Sequence, residues 1–253
     1  MLQQERFQMI MDELDRESAV KVSELAELMN VSESTVRRDI AVLDEAGEVR
    51  KVFGGAVSVD SDPAGRIISR ERGMAEKSVL NIEEKSAIGR YAAALIEDDD
   101  FVFIDAGTTT GLMIEHLTNT NATYVTNGMR HAIRLSERGF RAYIISGQTK
   151  YLTEAIAGAL ACESMSRYEF TKSFIGTNGI EEEKGFTTPD IEESMVKREA
   201  VRRSHETFIL ADNSKFGKYS SVSFADLKDA TVITDRCPDR KYMEMTHIEE
   251  VMK

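Results

Sequence analysis

The sequence predicts an α/β protein in two parts, a small helical domain followed by a larger domain built on a parallel sheet. In residues 1–57, three helix-like segments precede two short β-like runs that meet at a pair of glycines. From about residue 81, short β-rich runs alternate with helical stretches, which is typical of βαβ units with helices on both faces of a sheet. We therefore expect domains at 1–57 and 81–253, joined by a linker over 58–80 that contains Ser, Asp, Pro and Gly.

The composition is that of an ordinary globular protein and argues against several other classes. Hydrophobic residues make up 42% of the chain and charged residues 30%. No run of eighteen apolar residues occurs, so we expect no membrane span, and the N-terminus lacks the apolar segment of a signal peptide. Cys162 and Cys237 lie far apart and form no CxxC motif. We therefore expect two reduced thiols in a cytoplasmic protein, with no metal site and no cofactor.

The first domain has the pattern of a winged helix-turn-helix. A short helix at Ser23–Met29 is followed by a turn, and Ser32 is a suitable N-cap for the next helix. Apolar residues then recur at helical spacing and predict one buried stripe: Val36, Ile40 and Leu43. This helix is expected to end near Gly47. The two β-like runs that meet at Gly54-Gly55 predict a hairpin, the wing.

Seven residues of this domain are candidates for contact with DNA. Hydroxyls and arginines at the start of an exposed helix suit the reading of base edges, and basic residues on the hairpin would lie beside phosphates. These candidates are Ser32, Ser34, Thr35, Arg37, Arg38, Arg50 and Lys51. The net charge of −12 is unusual for a DNA-binding protein, so we expect a positive face on an acidic body and binding that depends strongly on salt. A helical protein-interaction module is the alternative interpretation.

The second domain alternates strands with helices. The predicted strands are 101–105, 123–127, 141–146, 171–176, 207–212 and 231–235. The predicted helices are 83–96, 111–118, 128–138, 153–167 and 191–204. In such a domain ligands bind at the carboxyl edge of the sheet, and that is where we expect the site.

The clearest site signal is the run 101–111, in which a buried strand ends at Asp105 and a turn of small residues opens a helix. Amides at a helix start carry the positive end of the helix dipole and bind phosphate, so Gly107, Thr108 and Thr109 are candidate phosphate contacts. No Gly-Lys-Ser/Thr follows, so the loop is not a Walker A motif. Three further loops are expected at the same edge: 175–180, 184–193 and 211–217. Each alone is better explained as a turn, but together they predict a pocket for a phosphorylated sugar.

These motifs resemble those of the DeoR family of bacterial sugar-operon regulators. The run 31–40, with Leu43, Gly47 and 54–56, resembles the helix-turn-helix of that family. Phe53 stands where the family often has His, so we expect a packing residue there instead of a polar contact. The pair Glu71-Arg72 and the residue Lys85 also match positions before the phosphate loop of the family's effector domain.

The resemblance implies an effector domain similar in fold to ribose-5-phosphate isomerase. It implies that the phosphate is held by Gly107, Thr108, Thr109 and Lys215. It also implies that the sugar lies near Asp105, Asn178, Gly179, Lys184 and Glu193. Overall similarity favours the fructose-operon type, with fructose 1-phosphate as effector, and the lactose type with tagatose 6-phosphate is the rival.

We therefore expect a transcription regulator, a repressor, whose binding to operator DNA is relieved by a sugar phosphate. Operators usually share the two-fold symmetry of the protein, so a homo-oligomer, dimer or tetramer, is expected, and no membrane partner. The alternatives are a sugar-phosphate isomerase with an accessory DNA-binding module, and a protein-interaction adaptor. Isomerisation needs a carboxylate base, and the loop 176–179 has none where the isomerases carry two Asp residues, so we expect no enzyme.

Overall fold

The computed structural model describes residues 3–17, 19–45, 48–58, 67–68 and 71–252. The chain divides into two compact units, 1–69 and 70–253, which are described separately. Much of the predicted linker, at 59–66 and 69–70, lies outside the described residues, as does the predicted helix end at Gly47.

The first unit consists of three helices and a small antiparallel sheet. Its elements are α1 (Gln3–Glu17), β1 (Ala19–Lys21), α2 (Val22–Met29), α3 (Glu33–Glu45), β2 (Val49–Val52), β3 (Gly55–Ser58) and the short strand β4 (Ile67–Ile68). The strand order is β1-β3-β2, so the predicted hairpin gains a third strand that the sequence did not indicate. Gly55 allows this pairing, because a Cβ there would lie 1.9 Å from the carbonyl oxygen of Val20.

The core of the first unit holds α3 in place. Val36, Ile40 and Leu43 are all buried, which confirms the predicted stripe. At one edge of the core, Arg6 of α1 donates to the buried carboxylate of Asp39, with 2.6 Å between Arg6 Nε and Asp39 Oδ2. Removing one partner of such a pair leaves a buried charge, so this bond fixes α1 against α3.

The second unit is a three-layer α/β domain. Its elements up to β10 are α4 (Met74–Ser78), α5 (Ile82–Ala94), β5 (Phe101–Ile104), α6 (Thr108–His116), β6 (Thr123–Thr126), α7 (Met129–Glu137), β7 (Arg141–Ile144), β8 (Gln148–Lys150), β9 (Ala155–Ala157), α8 (Ala159–Met165) and β10 (Phe170–Gly176). The remainder are β11 (Gly179–Glu181), β12 (Gly185–Thr188), α9 (Ile191–Arg202), β13 (Ser204–Leu210), β14 (Tyr219–Ser220), β15 (Val222–Ala225), β16 (Thr231–Thr234), α10 (Lys241–Met245) and β17 (Ile248–Glu250). Short 3₁₀ turns lie at Asn213–Lys215 and Leu227–Asp229.

Seven parallel strands form the central sheet in the order β17-β16-β13-β10-β5-β6-β7. The two faces of the sheet carry separate cores, as strand alternation requires. Val102 and Ile104 face a core shared with α5 and α6, whereas Phe103 faces a core shared with α8 and α9. The predicted fold class is therefore confirmed.

Two secondary-structure predictions for the second unit need correction. The helix predicted over 153–167 is shorter, because Ala155–Ala157 form β9, which pairs with β8, and the helix starts only at Ala159. The two alanines of this segment favour a helix, but its pairing with β8 makes it a strand. The segment 179–188, treated in the sequence as loops, forms the hairpin β11–β12. Among the described helices, none combines the length and apolar character that crossing a membrane requires.

Candidate functional site

The topology of the sheet brings three of the predicted loops together. Strands β5, β10 and β13 are neighbours and parallel, so the residues that follow them meet at one carboxyl edge. Asp105 follows β5, Asn178 lies two residues beyond β10, and Asp212 lies two residues beyond β13. The chain leaves β5 toward β6 on one side and returns to β10 on the other, which makes this edge a topological switch point, the usual place for a ligand.

The turn after β5 presents the start of α6. The amide of Ala106 donates to Asn127 Oδ1 at 2.7 Å, and the amide of Gly107 donates to His131 Nε2 at 3.4 Å. Within the described part of the chain, no acceptor is paired with the amides of Thr108 and Thr109. These amides carry the positive end of the helix dipole, so the turn can accept an anion.

The ring of His131 is hydrogen-bonded to this turn. The side chain is 2% exposed, and its Nε2 also lies 3.2 Å from Thr110 Oγ1. Burial lowers the pKa of His131 to about 4, against a smaller opposing effect of the Asp105 charge. The ring is therefore neutral near pH 7 and can accept the hydrogen bond of the Gly107 amide.

Acid should destabilise the protein through His131. Its pKa rises from about 4 in the folded chain to an ordinary value near 6.5 on unfolding, so the unfolded state binds more protons between these values. We expect the free energy of unfolding to fall by about 3 kcal/mol from this residue as the pH drops from about 6.5 to about 4. Urea unfolding at a series of pH values measures this. The loss should shrink in His131→Gln and persist in His205→Gln, an exposed control; equal losses in both would contradict the assignment.

Asp105 holds the edge of the sheet together. Its Oδ2 accepts from Lys197 Nζ at 2.5 Å and from the amide of Gly176 at 3.1 Å, and its Oδ1 accepts from Asn127 Nδ2 at 3.3 Å. The residue is 1% exposed. Both carboxylate oxygens of Asp105, a predicted sugar contact, are thus hydrogen-bonded to the protein itself. Its partner Lys197 was not among the site residues predicted from the sequence.

A group of basic residues, the basic cluster, faces this edge: Arg72, Lys77, Lys85 and Lys215. Lys85 is buried and donates to the carbonyl oxygen of Lys77 at 2.5 Å. The amide of Lys215 donates to the carbonyl oxygen of Asp212, but its side-chain ammonium has no hydrogen-bond or ion-pair partner among the described residues. The charges of Asp212, Lys77, Arg72 and Glu71 all act on this ammonium. An unpaired lysine in such a place is suited to binding an anion.

Burial and mutual repulsion both act on these lysines. Burial lowers the pKa of Lys215, and the neighbouring Lys77 and Arg72 add to the shift. Burial and the Lys215 charge lower the pKa of Lys85 to about 8. Bringing cations together out of water is unfavourable unless an anion joins them. A bound phosphate would offset this repulsion, so the basic cluster favours the binding of a phosphate.

Asp212 is the acidic partner of the basic cluster. It is 1% exposed, its Oδ1 accepts from Asn81 Nδ2 at 3.0 Å and from Ser214, and its Oδ2 has no hydrogen-bond partner among the described groups. Burial raises its pKa, but the charges of Lys215 and Lys85 with the Ser214 bond outweigh burial and leave the pKa below its usual value. An ionised oxygen without a donor is suited to receive a hydroxyl.

Glu71, which lies at the start of the second unit, is also part of the surroundings of the basic cluster. It forms an ion pair with Lys77, and Asn178 Nδ2 donates to both of its oxygens at 3.3 and 3.4 Å. Its charge also acts on Glu193, whose pKa is raised by burial and which accepts from Thr153 at 2.5 Å. Glu71 is thus a carboxylate placed among the cations that a phosphate would use.

Two of the predicted sugar contacts have other surroundings. Lys184 is exposed in the turn of the β11–β12 hairpin, at the opposite end of the hairpin from Asn178. Gly179 is buried, and a Cβ there would lie 2.4 Å from the carbonyl oxygen of Lys218, so the close approach of that backbone explains the glycine.

The sequence analysis did not single out four residues that the structure places at the site: Lys77, Asp212, Asn127 and His131. Asp212 and Asn127 each follow a strand as Asp105 does, a signal that could have found them. Lys77 and His131 show none.

Of the seven predicted DNA contacts in the first unit, six are exposed and Thr35 is partly buried. Ser32 caps α3, since its Oγ accepts from the amide of Thr35 at 3.2 Å and also lies 2.8 Å from Ser34 Oγ. Arg37 pairs with Glu33 at 2.5 Å, whereas the exposed Arg38 has no ion pair within the described part of the chain. The exposed hairpin strand β2 contributes the remaining two candidates, Arg50 and Lys51.

Phe53 departs from the sequence-based expectation. It was expected to pack, but it lies in the turn between β2 and β3 with its side chain fully exposed, at 109% of the reference value. The two-residue turn, with Gly54 at φ +83°, points this ring away from the core.

Comparison with known families agrees with both units. The family model described as "DeoR-like helix-turn-helix domain" matches residues 6–62, and the one described as "DeoR C terminal sensor domain" matches residues 80–236. The chain belongs to the DeoR family. The resemblance drawn from the sequence motifs is therefore confirmed, and this DeoR-family chain is a regulator and not an isomerase.

Similar proteins align over most of the DeoR-family chain. The "uncharacterized HTH-type transcriptional regulator FruR" of Bacillus subtilis is 40% identical over 255 residues, covering 99% of each chain. The lactose phosphotransferase system repressor of Staphylococcus epidermidis is 34% identical over 226 residues, covering 88% of each. The HTH-type transcriptional repressor GlcR of Bacillus subtilis is 32% identical over 247 residues, covering 97% of this chain and 93% of that protein.

Solved structures resemble the chain only slightly. Ribose 5-phosphate isomerase A from Methanocaldococcus jannaschii has a TM-score of 0.39 at 15% identity, covering 54% of this chain and 55% of that one. The delta subunit of eIF2B from Chaetomium thermophilum has a TM-score of 0.40 at 12% identity, covering 60% and 59%. At such TM-scores the likeness carries no argument about the site.

Proposed function

We propose that the chain is a repressor of a sugar-utilisation operon, acting in the cytoplasm, whose binding to operator DNA is relieved by fructose 1-phosphate. The observation that carries the proposal is Lys215, whose side chain has no ion pair within the part of the chain that is described and lies among other cations at the carboxyl edge of the sheet. A phosphate dianion would be held there by charge and by the amides of Thr108 and Thr109. DNA would be bound by α3 and the wing of the first unit, whose exposed residues include Arg38 and Lys51.

The sugar part of the effector would use the neutral and acidic groups of the site. Asp212 Oδ2 lacks a donor and would accept from a sugar hydroxyl, and Asn178 would offer its amide. The choice of fructose 1-phosphate over tagatose 6-phosphate is supported by overall similarity to the fructose-operon type of the family. A dimer or tetramer is proposed because the two half-sites of an operator require two copies of the DNA-binding unit.

Operator release tests this proposal. Labelled DNA from the promoter region of the regulated operon is titrated with the protein, alone and with fructose 1-phosphate, tagatose 6-phosphate or inorganic phosphate. Coupling of about 1–3 kcal/mol would weaken operator binding by about 5- to 150-fold at saturating effector. Release by tagatose 6-phosphate alone would correct the effector, and a lack of release by any sugar phosphate would contradict the regulatory part of the proposal.

Glu71 is the residue through which effector binding would be transmitted from the site to the rest of the chain. An incoming phosphate competes with its carboxylate for Lys77 and repels it, and Glu71 stands directly after the segment that leads from the first unit. Removing this competitor should strengthen effector binding, so Glu71→Gln is expected to bind fructose 1-phosphate about 3- to 10-fold more tightly. Isothermal titration measures the affinity. Weaker binding by the variant would instead make Glu71 a direct partner of the sugar.

A further inference from the structure

Phe53 is the most exposed large apolar residue of the first unit. Its ring stands at the tip of the hairpin, next to the half-exposed Val52 and the basic residues of β2, Arg50 and Lys51. The tip is held rigidly, since β3 is paired on both sides, with β2 and with β1. The amide of Val22 further donates to the carbonyl oxygen of Gly54 at 2.9 Å. A rigid support presents the ring to a partner without an ordering cost at the moment of binding.

The surroundings of the ring favour nucleic acid over protein as the partner. A protein-docking surface needs a contiguous apolar patch of several hundred Å², and Val52 is the neighbouring exposed apolar side chain along the hairpin. A single aromatic ring that closely follows two cations in the same hairpin instead matches duplex DNA, in which phosphates flank stacked bases. The charges of Arg50 and Lys51 suit those phosphates, and the flat apolar ring suits the space between two base pairs.

We infer that Phe53 is a wedge that enters the operator between two base pairs from the minor groove and bends the duplex. This rests on the proposed binding of operator DNA. An α-helix such as α3 fills the major groove, so the groove beside it along the duplex is the minor one. Apolar side chains inserted there unstack one base step and kink DNA by about 20–90°. Steps of a pyrimidine followed by a purine unstack most readily, so the wedge also favours operators with such a step under the wing.

Bending and binding of an operator fragment test the wedge. End-to-end energy transfer on doubly labelled operator DNA reports the bend, and fluorescence anisotropy reports affinity. Phe53→Ala should straighten the bound DNA and weaken binding by about 5- to 100-fold, the range seen for loss of one base-stacking ring. Phe53→Leu, which keeps an apolar wedge, should retain much of the bend. Val52→Ala removes apolar surface from the residue beside the ring but leaves the ring in place, and it should match the parent protein.

The salt dependence of binding separates a wedge from a damaged wing. Loss of the ring removes no phosphate contact, so the slope of log affinity against log salt should stay unchanged in Phe53→Ala. A smaller slope would mean that the wing itself had moved, and would overturn the inference. Equal bend and affinity in Phe53→Ala and the parent would overturn it while leaving the proposed function intact. Failure of the parent protein to bind any operator fragment would overturn both.

Discussion

Replacing Lys215 by Ala should abolish the release of operator DNA at effector concentrations that release it from the parent protein. The side chain of this lysine forms no ion pair with any described residue, so its removal takes away a charge-assisted bond to phosphate in a partly desolvated place. Truncating one partner of a buried charge pair loses about 2–5 kcal/mol, which corresponds to a loss of affinity of about 30- to 4,000-fold. Isothermal titration with fructose 1-phosphate measures the loss, and the operator should then stay bound at effector concentrations that release it from the parent protein.

The stability of the same variant is a separate test of the mechanism. Burial lowers the pKa of Lys215, so its charged form is destabilised by folding. Removing it should leave the melting temperature without ligand unchanged or raise it, while the ligand-dependent shift disappears. Lys184→Ala is the matched control, because this exposed lysine lies at the far end of its hairpin, and the affinity should change by less than about 2-fold. Equal losses in the two variants would contradict the geometry of the site.

Replacing Arg38 by Ala should produce the largest loss of operator binding among the hydroxyl and basic residues of α3. Arg38 is exposed and has no ion pair among the described residues, whereas Arg37 must first leave Glu33. Loss of an arginine bound to a base edge weakens binding by about 1–3 kcal/mol, or about 5- to 150-fold. Anisotropy titrations of operator and unrelated DNA at two salt concentrations measure affinity and specificity together.

Arg16→Ala is the control for this variant. It removes the same charge from the first unit, from the last turn of α1 where Arg16 pairs with Glu13. Long-range attraction to DNA falls equally in both variants, so any excess loss in Arg38→Ala belongs to direct contact. If both variants lost the same affinity for operator and for unrelated DNA, Arg38 would contribute only through its charge.

The order of elements could be predicted because it rests on local periodicity. Val36, Ile40 and Leu43 recur at helical spacing and are buried as a stripe on α3. The six strands predicted for the second unit all occur, since each is a short apolar run bounded by turn residues. Ala155–Ala157 was assigned to a helix, which alanine favours locally, and pairing with β8 made it a strand.

The site could be predicted only in part. Small residues after a strand, as in Gly107–Thr109, signal an anion-binding turn in the sequence itself. The resemblance assigned Lys215 to the phosphate and Lys184 to the sugar, but the local sequence around each lysine does not show whether it lies at the site. Only the hairpin pairing moved Lys184 away and left Lys215 beside Asp212. Likewise His131 carries no local sign of its role, which arises from the position of α7 under the turn after β5.

By itself, the sequence determined the two-part organisation, the capped helix with its arginines and the turn for an anion, because each depends on neighbours within a few positions. The tertiary structure alone decided which cations lie close together, how Asp105 is paired with Lys197, and that Phe53 stands clear of the core. These features depend on strands and helices that are distant in the chain, and charge and burial become defined only when those elements pack.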